Sequence, residues 1–183
     1  RAGFDPNKTY AEIGSYEVDA TKSQYSIDSV TFHHPDYLDV PHLGMLTEKI
    51  LADVDEESAS YPRFDSYNKR ILIENMYKDI DYSGGFSQHG VKFIGSGDSE
   101  KDANLIFKKM NHITKKNENF AEARSKSFVI RPEKILSKSA EVVFFYDEDS
   151  IYHPGVKLNY NVEKHEVVFT KEREGAGRSP FFD

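Results

Sequence analysis

The chain has 183 residues, a formal net charge of −7 from 24 basic and 31 acidic residues, and no cysteine. This length fits one domain with a buried core, and 13 Phe and 11 Tyr argue against disorder. The missing cysteines exclude disulfides, thiolate zinc sites and thiol nucleophiles, and the acidic balance argues against nucleic-acid binding.

The two ends of the sequence lack a regular apolar pattern. We expect a loose N-terminal arm over about residues 1–12 and a loose tail over about residues 175–183, flanking a single globular domain. The sequence begins at Arg1 rather than Met. We therefore favour a processed chain: an exported or periplasmic protein, or the soluble part of a lipoprotein. No apolar run approaches the roughly 18 residues of a bilayer span, so we expect none.

The first regular segment, from Tyr16 to Phe32, has the texture of a β-strand. Apolar residues alternate at Tyr25 and Ile27, and again at Val30 and Phe32. The alternation changes parity between Ile27 and Val30, which predicts a β-bulge or two short strands.

The next segment is predicted to be a helix. Asp39, followed closely by Pro41, is typical of a helix start. Spacings of three and four residues then separate the apolar positions Leu43, Leu46, Ile50 and Val54. We expect this helix to end in the acidic run "DVDEES".

Residues 71–82 carry apolar side chains at both helical and strand spacings. The Ser-Gly-Gly at 83–85 and the strand-like "GVKFIG" at 90–95 favour a β-hairpin, so we predict a strand. A second helix is predicted over residues 99–114. Ser99 and Asp102 resemble a capping box. One apolar stripe follows: Ala103, Ile106, Phe107, Met110 and Ile113.

The last third of the chain is predicted to be β structure. After Phe128 and Ile130, strands are expected at 141–146, 156–162 and 166–172, joined by short polar turns as an antiparallel meander. The predicted fold class is therefore α+β: an antiparallel β-sheet with two or three helices packed on one face.

Residues 29–44 hold three of the chain's seven histidines and two aspartates: His33, His34, His42, Asp36 and Asp39. Imidazole binds transition metals, but neighbouring residues on a strand point to opposite faces, so His33 and His34 cannot share one ion. We expect Pro35 to end the strand, the aspartates to bind turn and cap amides, and the histidines to be polar surface residues. We predict neither a metal site nor a cofactor.

Two further segments resemble functional loops. "DVDEES" begins like a calcium loop, but Ser58 and Phe64 stand where an EF-hand needs Gly and Glu. "GSGD" at 95–98 lacks the spacing of a dinucleotide loop and the lysine of a P-loop. A glycine turn, with Asp98 and Ser99 capping a helix, is the preferred interpretation.

Two fragments resemble ADP-ribosyltransferases: His89 before Gly90, and the spaced pair Glu172 and Glu174. The Ser-Thr-Ser element that accompanies the glutamate pair in that family is missing. The resemblance leaves a small transferase or hydrolase as an enzyme alternative. Such an enzyme would pair a carboxylate with one of four histidines: His33, His34, His89 or His153.

The preferred hypothesis is a non-enzymatic protein-binding domain. Acidic loops with neighbouring tyrosines suit a protein partner that has a basic surface. The candidate contact residues are Asp53, Asp55, Glu57, Asp147, Asp149, Tyr146 and Tyr152. A periplasmic inhibitor, an immunity-type protein or an accessory component of a secretion or surface assembly would have these features. A structural component of a virion or appendage is a further alternative.

Overall fold

A computed structural model describes residues 7–21, 24–49, 63–89, 92–146 and 149–171. Within these ranges the chain forms fourteen strands and no helix. The strands are β1 Tyr10–Glu12, β2 Glu17–Asp19, β3 Gln24–His33, β4 His42–Lys49, β5 Arg63–Ser66, β6 Ile71–Tyr77, β7 Ile80–His89, β8 Lys92–Ser96, β9 Ala103–Met110, β10 Asn117–Ser125, β11 Ser127–Arg131, β12 Lys134–Tyr146, β13 Asp149–Asn161 and β14 Glu166–Thr170.

Six of the strands close into an antiparallel barrel. The order is β7, β8, β11, β12, β10 and β9, and β9 pairs with β7 to complete the ring. Closure gives each barrel strand two neighbours, which removes the open edges of a flat sheet. The other eight described strands are joined to this barrel by strand pairing.

Strand β7 joins the barrel to the N-terminal strands. Its first half pairs with β6 and β9, and its second half pairs with β5 and β8. From β5 the sheet continues through β4 to β3, which carries β1 and β2. At the other side, β13 pairs with β12 and β14 pairs with β13.

Aromatic side chains fill the core and link the two parts. Phe32 stacks on Phe64 with ring centroids 4.4 Å apart, and Phe86 contacts Phe93 at 4.1 Å. Phe86 also lies 6.2 Å from Phe64, so the rings form one continuous cluster. At the centre, buried Tyr82 leaves no room for a side chain at position 95 because a Cβ there would lie 2.6 Å from its ring.

The predicted α+β fold is wrong, because the described parts of both predicted helices form strands and turns. The segment that begins at Asp39 turns through Pro41 and continues as β4 between β3 and β5. Leu43 is exposed and Gly44 is buried, which is strand alternation rather than a helical stripe. Ile50 and Val54 lie outside the described residues.

The second predicted helix is mostly β9, with a turn before it and another after it. Ala103, Leu105 and Phe107 point into the barrel, whereas Ile113, expected in the apolar stripe, is 92% exposed. Alternation with period two governs this segment because β9 is paired on both sides, with β7 and β10. The side chain of Asp98 accepts hydrogen bonds from the amides of Glu100 and Lys101, which forms a turn rather than a helix cap.

Some other expectations are confirmed, and others are corrected. The register of β3 shifts between Ile27 and Val30, where Ser29 has a φ of 59°, so the predicted bulge exists. Residues 71–77 form a strand as predicted, but the predicted hairpin is wrong: the turn falls at 78–79, and the Ser-Gly-Gly lies inside β7. β12, β13 and β14 form the predicted antiparallel meander. The predicted N-terminal arm is in part a strand and not loose, because its last residues, Tyr10–Glu12, form β1 and pair with β3.

Candidate functional site

Three of the seven predicted contact residues come together at one end of the β12–β13 hairpin. Tyr146 pairs with Asp149 as the last register pair of the hairpin, and Tyr152 lies opposite Val143. The other four predicted residues, Asp53, Asp55, Glu57 and Asp147, lie outside the described residues. The hairpin end is therefore the part of the predicted site that the structure describes.

This end extends past the pairing of β12 with β10. The register between β10 and β12 ends at the pair Ala121 and Phe144, so Phe145 and Tyr146 lie beyond the last residue pair of these two strands. Phe144 anchors the base of the hairpin, with its ring 5.6 Å from Phe169. We define the hairpin tip by its described residues: Phe145, Tyr146, Asp149, Ser150, Ile151 and Tyr152.

Large side chains are exposed on both faces of the hairpin tip. Tyr146 and Ile151 share one face, and they are 74% and 55% exposed. Phe145 and Tyr152 share the other face, and they are 39% and 52% exposed. Proteins rarely expose clustered aromatic and aliphatic side chains without a partner to cover them, so the hairpin tip is a candidate contact surface.

The Tyr152 hydroxyl is held by its surroundings. Partial desolvation raises the pKa of Tyr152, and a hydrogen bond with the Glu141 carboxylate acts in the same direction. Arg124, whose guanidinium lies 2.8 Å from Glu122, opposes this shift. The phenol therefore stays neutral and can donate to a carboxylate at neutral pH.

The histidine-rich segment places its two neighbouring rings on opposite sides of the chain. His33 stacks on Tyr10 with centroids 4.3 Å apart, and its Nε2 lies 3.3 Å from a Glu12 carboxylate oxygen. His34 is buried beside Phe32 and Tyr37. The expectation that these histidines are polar surface residues is therefore wrong for His34. Its pKa is lowered by burial, which outweighs the opposing effect of the Asp36 carboxylate.

The Pro35 segment ends β3 as predicted. The carbonyl of His34 accepts hydrogen bonds from the amides of Tyr37 and Leu38, at 3.0 and 2.8 Å. Leu38 then enters the core. Within the described ranges, no group of three or more His, Asp or Glu side chains is placed to hold a metal ion.

The glycine turn at 95–98 meets a basic residue that the sequence analysis did not single out. Arg70 contacts the carboxylates of Asp98 and Glu100 at 3.0 and 2.9 Å. These carboxylates would repel a phosphate at the turn, in agreement with the missing nucleotide motif. The fragments that resemble ADP-ribosyltransferases, which include Glu172, Glu174 and the His89 side chain, lie outside the described part of the structure.

A second surface is a groove of about 780 Å³ beside β12, β13 and β14. A row that is apolar except at Asn159 crosses the sheet here, because the register aligns Val129 with Leu136, Leu136 with Asn159, and Asn159 with Val168. We call it the apolar row. Next to this row lies a polar one in which Lys157 pairs with Thr170. We call this surface the groove. Its lining residues are Ser125, Lys126, Ser127, Val129, Leu136, Ser137, Lys138, Ser139, Lys157, Leu158, Asn159, Val168 and Thr170.

Two copies of the tripeptide Ser-Lys-Ser, at 125–127 and 137–139, meet at one end of the groove. The hydroxyls of Ser125 and Ser137 lie 2.9 Å apart, and both lie within hydrogen-bond distance of the Ser139 carbonyl oxygen. This buried hydroxyl pair fixes the two tripeptides side by side and directs Lys126 and Lys138 to the surface. The repeated tripeptide was visible in the sequence, but only the strand pairing shows that the two copies meet.

No family model, curated protein or solved structure matches this chain. Within the described ranges, no helix has the length and apolar character that crossing a bilayer requires.

Proposed function

We propose that this chain is a protein-binding module that contacts a basic surface of its partner with the hairpin tip. The observation that carries the proposal is the exposure of four large side chains on the two faces of one hairpin end: Phe145, Tyr146, Ile151 and Tyr152. Such rings bury a large area at small entropic cost, and aromatic residues dominate the binding energy of protein interfaces.

The charge of the hairpin supports a basic partner. Asp149 is exposed at the end of β13, and Asp147 and Glu148 precede it in the sequence. Carboxylates around an aromatic centre accelerate encounter with a positively charged surface and select against acidic ones. An inhibitor, an immunity-type protein or an accessory component of an assembly would use a surface of this kind.

A site-directed crosslinking experiment tests the contact surface. A photoreactive phenylalanine analogue replaces Tyr152 in one protein and Tyr16, which is similarly exposed on a different part of the chain, in another. We expect the analogue at position 152 to give a defined adduct with a protein from the native source. An identical adduct pattern from position 16 would contradict a specific contact at the hairpin tip.

The captured partner then allows the interaction to be measured. Tyr146→Ser with Tyr152→Ser should weaken binding by tenfold or more, since an aromatic hot spot contributes on the order of 2 kcal/mol. Asp149→Lys should slow association at low salt, and this effect should fade as salt rises. Glu17→Lys, an equal charge change on exposed β2, is the matched control. Equal effects of the two charge changes would remove Asp149 from the interface.

A further inference from the structure

The groove lies on the opposite half of β13 from the hairpin tip and has the opposite charge. The lysines Lys126, Lys138 and Lys157 line it, and none of its described lining residues is Asp or Glu. The chain as a whole has a net charge of −7, so the positive charge of the groove is opposite to the charge of the whole molecule. A ligand that fits the groove by charge is therefore acidic.

The strand beside the groove offers a backbone edge. In the described part of the chain β14 pairs with β13 alone, and its sequence, Glu-Val-Val-Phe-Thr, contains neither proline nor lysine. Proline, lysine and bulges are the devices that usually protect an edge strand from pairing. An extended peptide can hydrogen-bond to such an edge as an added strand.

The two rows of the groove specify what the added strand would carry. Val168, 49% exposed, ends the apolar row at the edge, so an apolar side chain of the added strand would continue that row. Thr170 ends the row that contains Lys157, and the next position on the same face of the added strand would lie beside it. A carboxylate there would lie two strand spacings, roughly 10 Å, from the backbone of Lys157, and the long side chains of lysine and glutamate can span this distance.

We propose that β14 and the groove bind an extended segment of a partner protein that presents apolar and acidic side chains in turn on its groove-facing side. Main-chain hydrogen bonds to β14 supply affinity for any extended segment. The apolar row and the lysines select the acidic, amphipathic one. This site is separate from the hairpin tip and goes beyond the function proposed for it.

Fluorescence anisotropy with synthetic peptides tests the site directly. The probe is a labelled peptide of about eight residues, a usual strand length, in which valine and glutamate alternate at the positions of one face and serine and threonine fill the other. A second peptide has lysine for glutamate. A third keeps glutamate but has N-methylated amides at alternate residues, so one edge cannot hydrogen-bond. We expect the acidic peptide to bind at least tenfold more tightly than either of the other two.

Variants of the protein locate the binding. Lys138→Glu with Lys157→Glu should weaken binding of the acidic peptide by tenfold or more, whereas Lys116→Glu with Lys164→Glu, an equal charge change in exposed turns, should not. Far-UV circular dichroism checks that each variant is folded. Tyr152→Ser should leave the peptide affinity unchanged, so the two proposed surfaces can fail independently.

Several results would overturn the proposal. Equal affinity for the acidic and basic peptides would refute the charge selection, and equal affinity for the methylated peptide would refute strand addition. Complete displacement by inorganic phosphate, together with indifference to methylation, would show a simple anion site. These comparisons use the unaltered protein, so they decide the matter even if the double lysine variant does not fold.

Discussion

Lys108 shows how burial changes the role of a single charged residue. It falls within the second predicted helix, outside the predicted apolar stripe, but it lies on β9 with its ammonium 2.6 Å from Asp81 and 2.9 Å from Asn75. Both charged side chains are mostly buried. Asp81 also accepts the Asn75 amide, so the pair ties β9 to the β6–β7 hairpin.

Removing the Lys108 ammonium leaves the Asp81 carboxylate in a partly buried position without its cation. We expect Lys108→Ala to lower the free energy of unfolding by about 1–3 kcal/mol. Lys116→Ala, in an exposed turn, should change it by less than about 0.5 kcal/mol. Urea denaturation of both variants measures this difference, and equal midpoints would show that the pair contributes nothing net.

His34 should make stability depend on pH. Burial lowers its pKa from the ordinary 6.5, so below pH 6.5 the unfolded chain binds a proton that the folded chain excludes. Above pH 6.5 His34 therefore does not lower the free energy of unfolding. As the pH decreases from 6.5 towards the folded-state pKa, the free energy of unfolding falls. His34→Leu should flatten this decline in urea denaturation, whereas His112→Leu, in an exposed turn, should leave it unchanged. Parallel profiles for wild type and His34→Leu would contradict the assignment.

At the scale of the element, the hairpin β12–β13 contains a backbone position that suits glycine. Gly155 has a φ of 66°, and a Cβ built there would meet no atom within 4 Å. The cost of a side chain at this position is therefore conformational and not steric. At Gly14 a Cβ would also meet no atom within 4 Å, but the backbone there does not have a positive φ. Gly14 is therefore a control with the same free space and without the left-handed conformation.

We expect Gly155→Ala to destabilise the protein by about 1–2 kcal/mol, the cost of a left-handed conformation for a residue with a Cβ. Gly14→Ala should lie within about 0.5 kcal/mol of wild type. Thermal unfolding followed by circular dichroism compares the two. A neutral Gly155→Ala would mean that the hairpin relaxes to avoid the positive φ.

The elements also show what the sequence could predict. β-branched runs such as Glu166–Thr170 identify their own strands, and the parity change at Ile27 and Val30 identified a bulge, because both signals are local. The helix errors arose where residues at strand spacing also matched helical spacing, as in Ala103–Met110. Hydrogen bonding of β9 to β7 and β10 makes this segment a strand. A local sequence pattern cannot predict pairing with a strand that is distant in the sequence.

The candidate site was predictable to a similar extent. Tyr146, Asp149 and Tyr152 were predicted as contact residues from the sequence because polar residues between two strands are exposed in almost any fold. The groove was not found, because its lysines and its apolar row come from β10 to β14 and become neighbours only through the strand register. The paired Ser-Lys-Ser tripeptides were its only sequence signal.

At the scale of the whole molecule, the rings of Phe32, Phe64, Phe86 and Phe93 form one cluster across the N-terminal strands and the barrel. We expect a single cooperative unfolding transition, with equal calorimetric and van't Hoff enthalpies. Phe64→Ala should cost about 3–5 kcal/mol and lower that transition as a unit. Two separate transitions, of which Phe64→Ala moved only the first, would show that the N-terminal strands melt independently.

The pairing of β7 with four other strands limits how this chain can vary through evolution. An insertion or deletion of one residue within β7 would flip its side chains relative to four partner strands at once, β5, β6, β8 and β9. The turns at 111–116 and 162–165 border strands with one or two partners and can change length at little cost. Relatives of this protein should therefore differ most in loop length, while the ten residues of β7 keep their number and their alternation.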